Sequence, residues 1–322
     1  MKLASRGLLD GWVTAIGIAT STVAGMTKSN SRICLILAVA VNVAVATSAH
    51  ANVIVAESFG GNATTNLNGI TAGTFAAGIT SAGGNATWVA NTAYKADGSI
   101  TGRRVSAYLD LGSYVNDAKG TANGIFVLEA SLALPTSTLN GTWASLGFAG
   151  ENAPSLTRAF NNNGSGTGST TGYANMLYRT DGDIDQFAGA GSGNQVAPDD
   201  IQYSGNRTLR VTLDLTPTGG YNGTTNFGTA RFAADVGVGN SFEEFGTFTY
   251  TSNVPFGSIL LSVLGGNTDA LQTVTTTYGE LTLVQVPEPS VALVGGLGVV
   301  ALMLCHRRRK LSGRQNAAVG AT

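Results

Sequence analysis

Between residues 52 and 286 the chain contains no cysteine and no histidine, because Cys34, His50, Cys305 and His306 all lie outside that stretch. Their absence excludes Ser-His-Asp and Cys-His nucleophilic catalysis, imidazole or thiolate metal sites, and disulfides within it. Only carboxylate chemistry and hard-cation sites stay open. Charge is scarce as well, at 11% of 322 residues, where about 25% is usual. Hydrophobic content is 43%, so the low charge does not signal disorder, and a sizeable core is available. Within 52–286 nine basic residues stand against seventeen acidic ones, a net charge of −8, although the whole chain carries −1. No basic patch is visible there for neutralising phosphates, which argues against a nucleic-acid partner.

The ends differ from the middle. Reading from Met26, Lys28 and Arg32 form a basic head, Ile33 to Ala46 an apolar stretch, and Ala49-His50-Ala51 a small-x-small exit. That is the three-part pattern of a secretory signal cut after Ala51 by signal peptidase. Counted from Met1 the signal would exceed the usual roughly 15–30 residues, so residues 1–25 are expected to be an upstream extension and 26–51 the signal peptide. At the other end, Pro287-Glu288-Pro289-Ser290 precedes the apolar run Val291 to Cys305, followed by His306-Arg307-Arg308-Arg309-Lys310. As a helix the run spans roughly 22 Å at about 1.5 Å per residue, short of a hydrocarbon core of about 30 Å. The prolines stop a helix from extending backwards, and the arginines mark the cytoplasmic side. Both ends predict one topology, with 52–286 exported.

Pro287, Glu288 and Pro289, the short apolar segment and the stop cluster Arg307, Arg308 and Arg309 together resemble the PEP-CTERM sorting signal of exopolysaccharide-producing Gram-negative bacteria. The resemblance implies a segment, 287–310, read by an exosortase-like enzyme after transient retention in the inner membrane. It implies a destination at the cell surface or in a biofilm matrix. The polar tail 311–322 departs from the family, which usually ends soon after its arginines.

Period-two patterning dominates the middle. Leu209, Val211, Leu213 and Leu215 alternate with Thr208, Arg210, Thr212 and Asp214, as in a half-buried strand. Less regular strands are expected at 53–59, 104–111, 124–134, 142–148, 173–179, 227–236, 247–251, 259–264 and 273–286, separated by Gly, Asn and Pro. Ten or more strands without a convincing helix predict an all-β fold, two packed antiparallel sheets, flanked by an N-terminal signal helix and a C-terminal hydrophobic helix. Asn161 to Thr171 reads as a long surface loop. The order of Leu128–Leu132, Trp143–Phe148, Leu209–Leu215 and Tyr278–Val284 is similar to the concanavalin A-like lectin and glucanase jelly roll. That resemblance implies the jelly-roll form of the sandwich and, by analogy of fold alone, contact with polysaccharide.

Asp181, Asp183 and Asp185 are the densest acidic cluster. Alternate spacing would set three carboxylates on one strand face, as a calcium site or sugar hydrolysis requires. The competing reading makes Asp181-Gly182 a two-residue hairpin turn, with the other carboxylates in solvent. An EF-hand loop is excluded, because Gln186 and Ser192 occupy its glycine and glutamate places. The Glu-x-Asp-x-x-Glu strand of laminarinase-like glucanases is also absent. Trp88, Trp143, Tyr173 and Tyr178 are candidates for stacking on sugar rings, or for core positions. The expected function is that of an exported, noncatalytic surface or matrix protein contacting exopolysaccharide. The alternative is a carboxylate-based glycoside hydrolase or lyase, which needs two carboxylates facing each other across a cleft.

Overall fold

Strand-forming segments separated by turn residues pair partly with their neighbours in sequence, as Arg207–Asp214 does with Thr229–Asp235, and partly with distant ones, as Asn52–Glu57 does with Val274–Val286. The computed structural model describes residues 51–138, 142–150, 152–157, 172–188, 196, 202–235, 241–265 and 272–287. The expected signal peptide through His50, Ala49 included, the expected loop 161–171, Glu288, Pro289, the apolar run 291–305 and Arg307, Arg308 and Arg309 lie outside the described residues. No helix among the described residues is long and apolar enough to cross a membrane.

The elements in order are β1 (Asn52–Glu57), β2 (Thr74–Phe75), α1 (Ala77–Ser81), β3 (Val89–Ala90), β4 (Ser99–Gly102), β5 (Arg104–Asp110), α2 (Tyr114–Asp117), β6 (Ile125–Leu132), β7 (Trp143–Ala149), β8 (Gly172–Arg179), β9 (Ile184–Phe187), β10 (Arg207–Asp214), β11 (Thr229–Asp235), β12 (Phe242–Thr249), β13 (Ser258–Leu264) and β14 (Val274–Val286). They form two antiparallel sheets, confirming the all-β sandwich. The larger runs β12-β11-β10-β6-β14-β1-β2, with β4 also on β14, and the smaller runs β3-β5-β13-β7-β8-β9. The chain changes sheet at every step from β2 to β7, then between β9 and β10, β12 and β13, and β13 and β14, the crossover pattern of a jelly roll. The two last strands are interior ones: β13 inserts between β5 and β7, and β14 between β6 and β1.

The alternation in β10 behaves as its sequence predicts, with Leu209, Val211 and Leu213 fully buried and the intervening residues half-buried. These leucines and valine meet Leu146, Phe148, Ile259, Leu261 and Val263 of the other sheet in one core. Buried rings carry their polar atoms to partners. Trp88 Nε1 donates to Glu57 at 3.2 Å, and the Tyr278 hydroxyl donates to the Ser145 carbonyl at 2.6 Å. Short strands β2, β3 and β4 and the two short helices carry no repeat long enough to be read from sequence. β12 begins earlier than expected because Glu243 and Glu244 interrupt its apolar pattern while pairing with Ala234 and Ala233.

Candidate functional site

A sandwich buries one face of each sheet and wets the other. The smaller sheet departs from this. All seven residues of β7, all four of β9 and six of the seven in β13 are buried. Its outer face therefore carries a second apolar cluster of Tyr108, Trp143, Ala149, Leu177, Phe187 and Leu260, with Val89, Leu156 and Leu264 packed at its rim.

The register orders this face into rows. One crosses five paired strand boundaries as Val89, Tyr108, Leu260, Gly147, Asn175 and Phe187. The next runs Ser106, Ser262, Ser145, Leu177 and Asp185, and a third joins Leu264, Trp143 and Arg179. Small residues make the floor. The Ser145 and Ser262 hydroxyls lie 2.7 Å apart and are fully buried. At Gly147 a Cβ would strike the Ala174 carbonyl and the Asn175 amide oxygen. That empty position lets the Asn175 side chain lie across β7, where its Nδ2 donates to the Phe148 carbonyl at 3.4 Å. Its Oδ1 is buried and accepts no hydrogen bond from the described residues. An amide oxygen in that state costs on the order of 1–3 kcal/mol and is stabilised by any donor brought to it.

The sequence-selected residues fall in different places. Asp181, Asp183 and Asp185 do not share a strand face, which corrects the expectation of alternate spacing. Only Asp185 lies within β9; Asp181 is in the turn and Asp183 precedes the strand. The turn has three residues rather than two. Arg179 N donates to the Asp183 carbonyl at 2.9 Å, Gly182 N to the Arg179 carbonyl at 3.1 Å, and Gly182 takes φ +97°. A three-residue loop needs its last position left-handed, which glycine supplies. Asp185 is buried rather than in solvent, because Arg179 Nη1 pairs with it at 3.2 Å while Arg179 Nε faces Asp181 at 3.6 Å. The guanidinium thus stands where a shared cation would have to sit, and the arrangement does not fit calcium as it stands. Among the described residues no three His, Cys, Asp or Glu side chains converge on a metal position.

Other carboxylates serve the backbone. Asp97 accepts from Ser99 N, Asp110 from Gly112 N, Asp181 from Asp183 N and Asp214 from Thr216 N, each two residues on. These are Asx turns, in which the side chain replaces a backbone carbonyl. The Ser99 hydroxyl holds Asp97 below its ordinary value, and burial pushes Asp110 up. Glu57 is buried under Trp88, and Glu129 pairs with Arg210 at 2.6 Å. Of the aromatic candidates, Trp88 and Tyr178 are fully buried in the main core, Tyr173 packs half-buried against it, and Trp143 lies on the outer face of the small sheet at 3% exposure.

No protein-family model matches the chain, and no curated protein does. Among solved structures, the chain is similar to the carbohydrate recognition domain of Emp46p in its potassium-bound form, with 13% identity over 58% of this chain and 82% of that one, at a TM-score of 0.35. The calcium-bound exoplasmic/lumenal domain of VIP36 aligns at 13% identity over 58% of this chain and 74% of its own, with a TM-score of 0.33. A Trypanosoma rangeli sialidase in complex with sialic acid aligns at 10% identity over 77% of this chain and 32% of the sialidase, with a TM-score of 0.40. Likenesses of this degree identify neither a family nor a function.

Sequence reasoning missed Tyr108, Asn175, Phe187 and the serine floor. Its available signal was the failure of alternation in Trp143–Ala149 and Ser258–Leu264, continuous runs of apolar and small residues that mark strands covered on both faces.

Proposed function

We propose that this is an exported cell-surface or extracellular-matrix protein of a Gram-negative-type bacterium, whose sandwich domain contacts polysaccharide without cleaving it. In this reading a signal peptidase removes the N-terminal segment, and an exosortase-like enzyme reads the segment beginning Pro287-Glu288-Pro289. The observation that carries the polysaccharide half is the rim of the small sheet's outer face, where Val89, Leu264 and Arg179 are half-buried beside an apolar cluster that is itself covered. In one row the Leu264 side chain and the Arg179 guanidinium flank Trp143, which lies just beneath them at 3% exposure. Sugars present both apolar C–H faces and hydroxyl groups, so such a rim matches their chemistry. The noncatalytic half is supported by Asp97, Asp110, Asp181 and Asp214, which close turns, and by Asp185 and Glu129, which pair with arginines.

The test is cosedimentation of the exported protein with the exopolysaccharide of its host, with and without calcium, followed by assay of new reducing or unsaturated ends. Retention without chain cleavage is expected. Absence of retention on any polysaccharide removes the binding role and leaves a structural one, whereas new chain ends establish the hydrolase or lyase.

A further inference from the structure

The outer face of the large sheet is mostly polar, but one corner of it is not. Val53 of β1 pairs with Val284 of β14, Val284 with Val127 of β6, and Val286 with Ile125 in the neighbouring row. At 46% exposure Val53 is the sole exposed large hydrophobic among the described residues. Val127, Val284, Val286 and Ile125 are half-buried beside it. The stripe carries no charged side chain. Asp214 lies opposite Ile125 but turns its carboxylate to Thr216, and the Arg210–Glu129 pair sits one row away.

This corner is where the chain enters and leaves the domain. Asn52, the first residue of β1, is the register partner of Gln285, next to last in β14. Both apolar flanks of the sequence therefore depart from adjacent strands. After Val286 only Pro287, Glu288, Pro289 and Ser290 precede the apolar run that opens at Val291. Four residues, two of them proline, reach at most about 12–14 Å. Anchored by that run, the valine corner is held within one linker length of the lipid headgroups.

We infer that the stripe of Val53, Val284, Val127, Val286 and Ile125 rests on the lipid surface while the precursor is anchored, so that the sandwich leans with the outer face of its large sheet toward the membrane. The inference rests on the anchoring half of the proposed function. Aliphatic side chains gain by entering the headgroup boundary, and the short tether removes most of the entropic cost of bringing them there. Release of the tail would remove the tether and leave a patch of five side chains too small to hold the protein alone.

The experiment uses the full chain, with both native cysteines replaced by serine, inserted into vesicles of phosphatidylethanolamine and phosphatidylglycerol. Val53→Cys, Val127→Cys and Val284→Cys each carry an environment-sensitive fluorophore, and Arg231→Cys, exposed on the same face two strands from β6, is the control. Flotation after carbonate washing reports anchoring by itself. The stripe positions are expected to show blue-shifted emission and at least about twofold more quenching by nitroxide lipids than position 231. A chain that floats with all positions equally aqueous overturns the inference and leaves anchoring intact. Blue-shifted labels untouched by nitroxide lipids also overturn it, because protein rather than lipid then covers the stripe. A chain that does not float refutes anchoring, and the inference falls with it.

Discussion

The hydroxyl of Tyr278, on an interior strand of the large sheet, donates to the main-chain carbonyl of Ser145 on the small sheet at 2.6 Å, tying the two layers together through the core. The Ser262 carbonyl lies 3.4 Å from the same oxygen. Burial pushes the phenol far above its ordinary value, so it donates at every physiological pH.

Tyr278→Phe keeps the ring and deletes only this cross-layer bond. It should cost about 1–2 kcal/mol, a fall in Tm of roughly 2–6 °C for a domain of this size. Tyr221→Phe, in a half-buried loop position, should stay within about 0.5 kcal/mol. Equal melting temperatures for wild type and Tyr278→Phe would mean that the layers are held by apolar contact alone.

Stability should rise and then fall on the alkaline side. Lys119, half-buried with Nζ on Asn253 and the Val254 carbonyl, is lowered by desolvation to about 8 from 10.5. Between those values the unfolded chain holds the proton more tightly than the folded one, so stability increases with pH. The gain is small because the side chain stays partly in water. Tyr94, Tyr250 and Tyr278 are raised above 10.0 by burial. Above that pH the unfolded chain loses protons that the folded state keeps, and stability drops. Urea midpoints at pH 7, 9 and 11 check the order. Lys119→Met should abolish the rise between pH 7 and 9 and spare the later fall; a rise that persists in the variant points to another group.

Arg179 decides whether the acidic hairpin takes up a cation. In the wild type, millimolar calcium should leave Tm unchanged, since the guanidinium already faces Asp181 and Asp185. Arg179→Gln should melt lower without calcium, because Asp185 is buried and loses the guanidinium that pairs with it. Added calcium should then restore part of the loss, readable as a calcium-dependent Tm by calorimetry. A calcium-dependent shift in the wild type would show that Arg179 gives way to the ion.

How far the sequence foretold this molecule depends on periodicity. β10 was legible because Leu209, Val211 and Leu213 face one core and Thr208, Arg210 and Thr212 face water. β7 and β13 were legible as strands, but their sheet face was not, since burial on both sides erases alternation. Asn175 was invisible for a different reason. Its importance comes from Gly147 across the ladder and from a buried oxygen without a donor, and both depend on a register that no local pattern records. The three aspartates misled in spacing because the turn opens one residue earlier than a two-residue hairpin does, at Thr180, and keeps Asp181 off both strands.

The most direct test of polysaccharide contact at the outer face of the small sheet uses tryptophan fluorescence. Residues 52–286 contain two tryptophans, Trp88 inside the main core and Trp143 on that face. In a Trp88→Phe variant of residues 52–286, Trp143 is the only tryptophan. Titration with the host exopolysaccharide should shift its emission saturably, and Leu264→Asp at the half-buried rim beside it should weaken the midpoint about tenfold, the equivalent of about 1.4 kcal/mol. Binding detected by cosedimentation with no change at Trp143, and with Leu264→Asp binding as tightly as its parent, would contradict the assignment of this face.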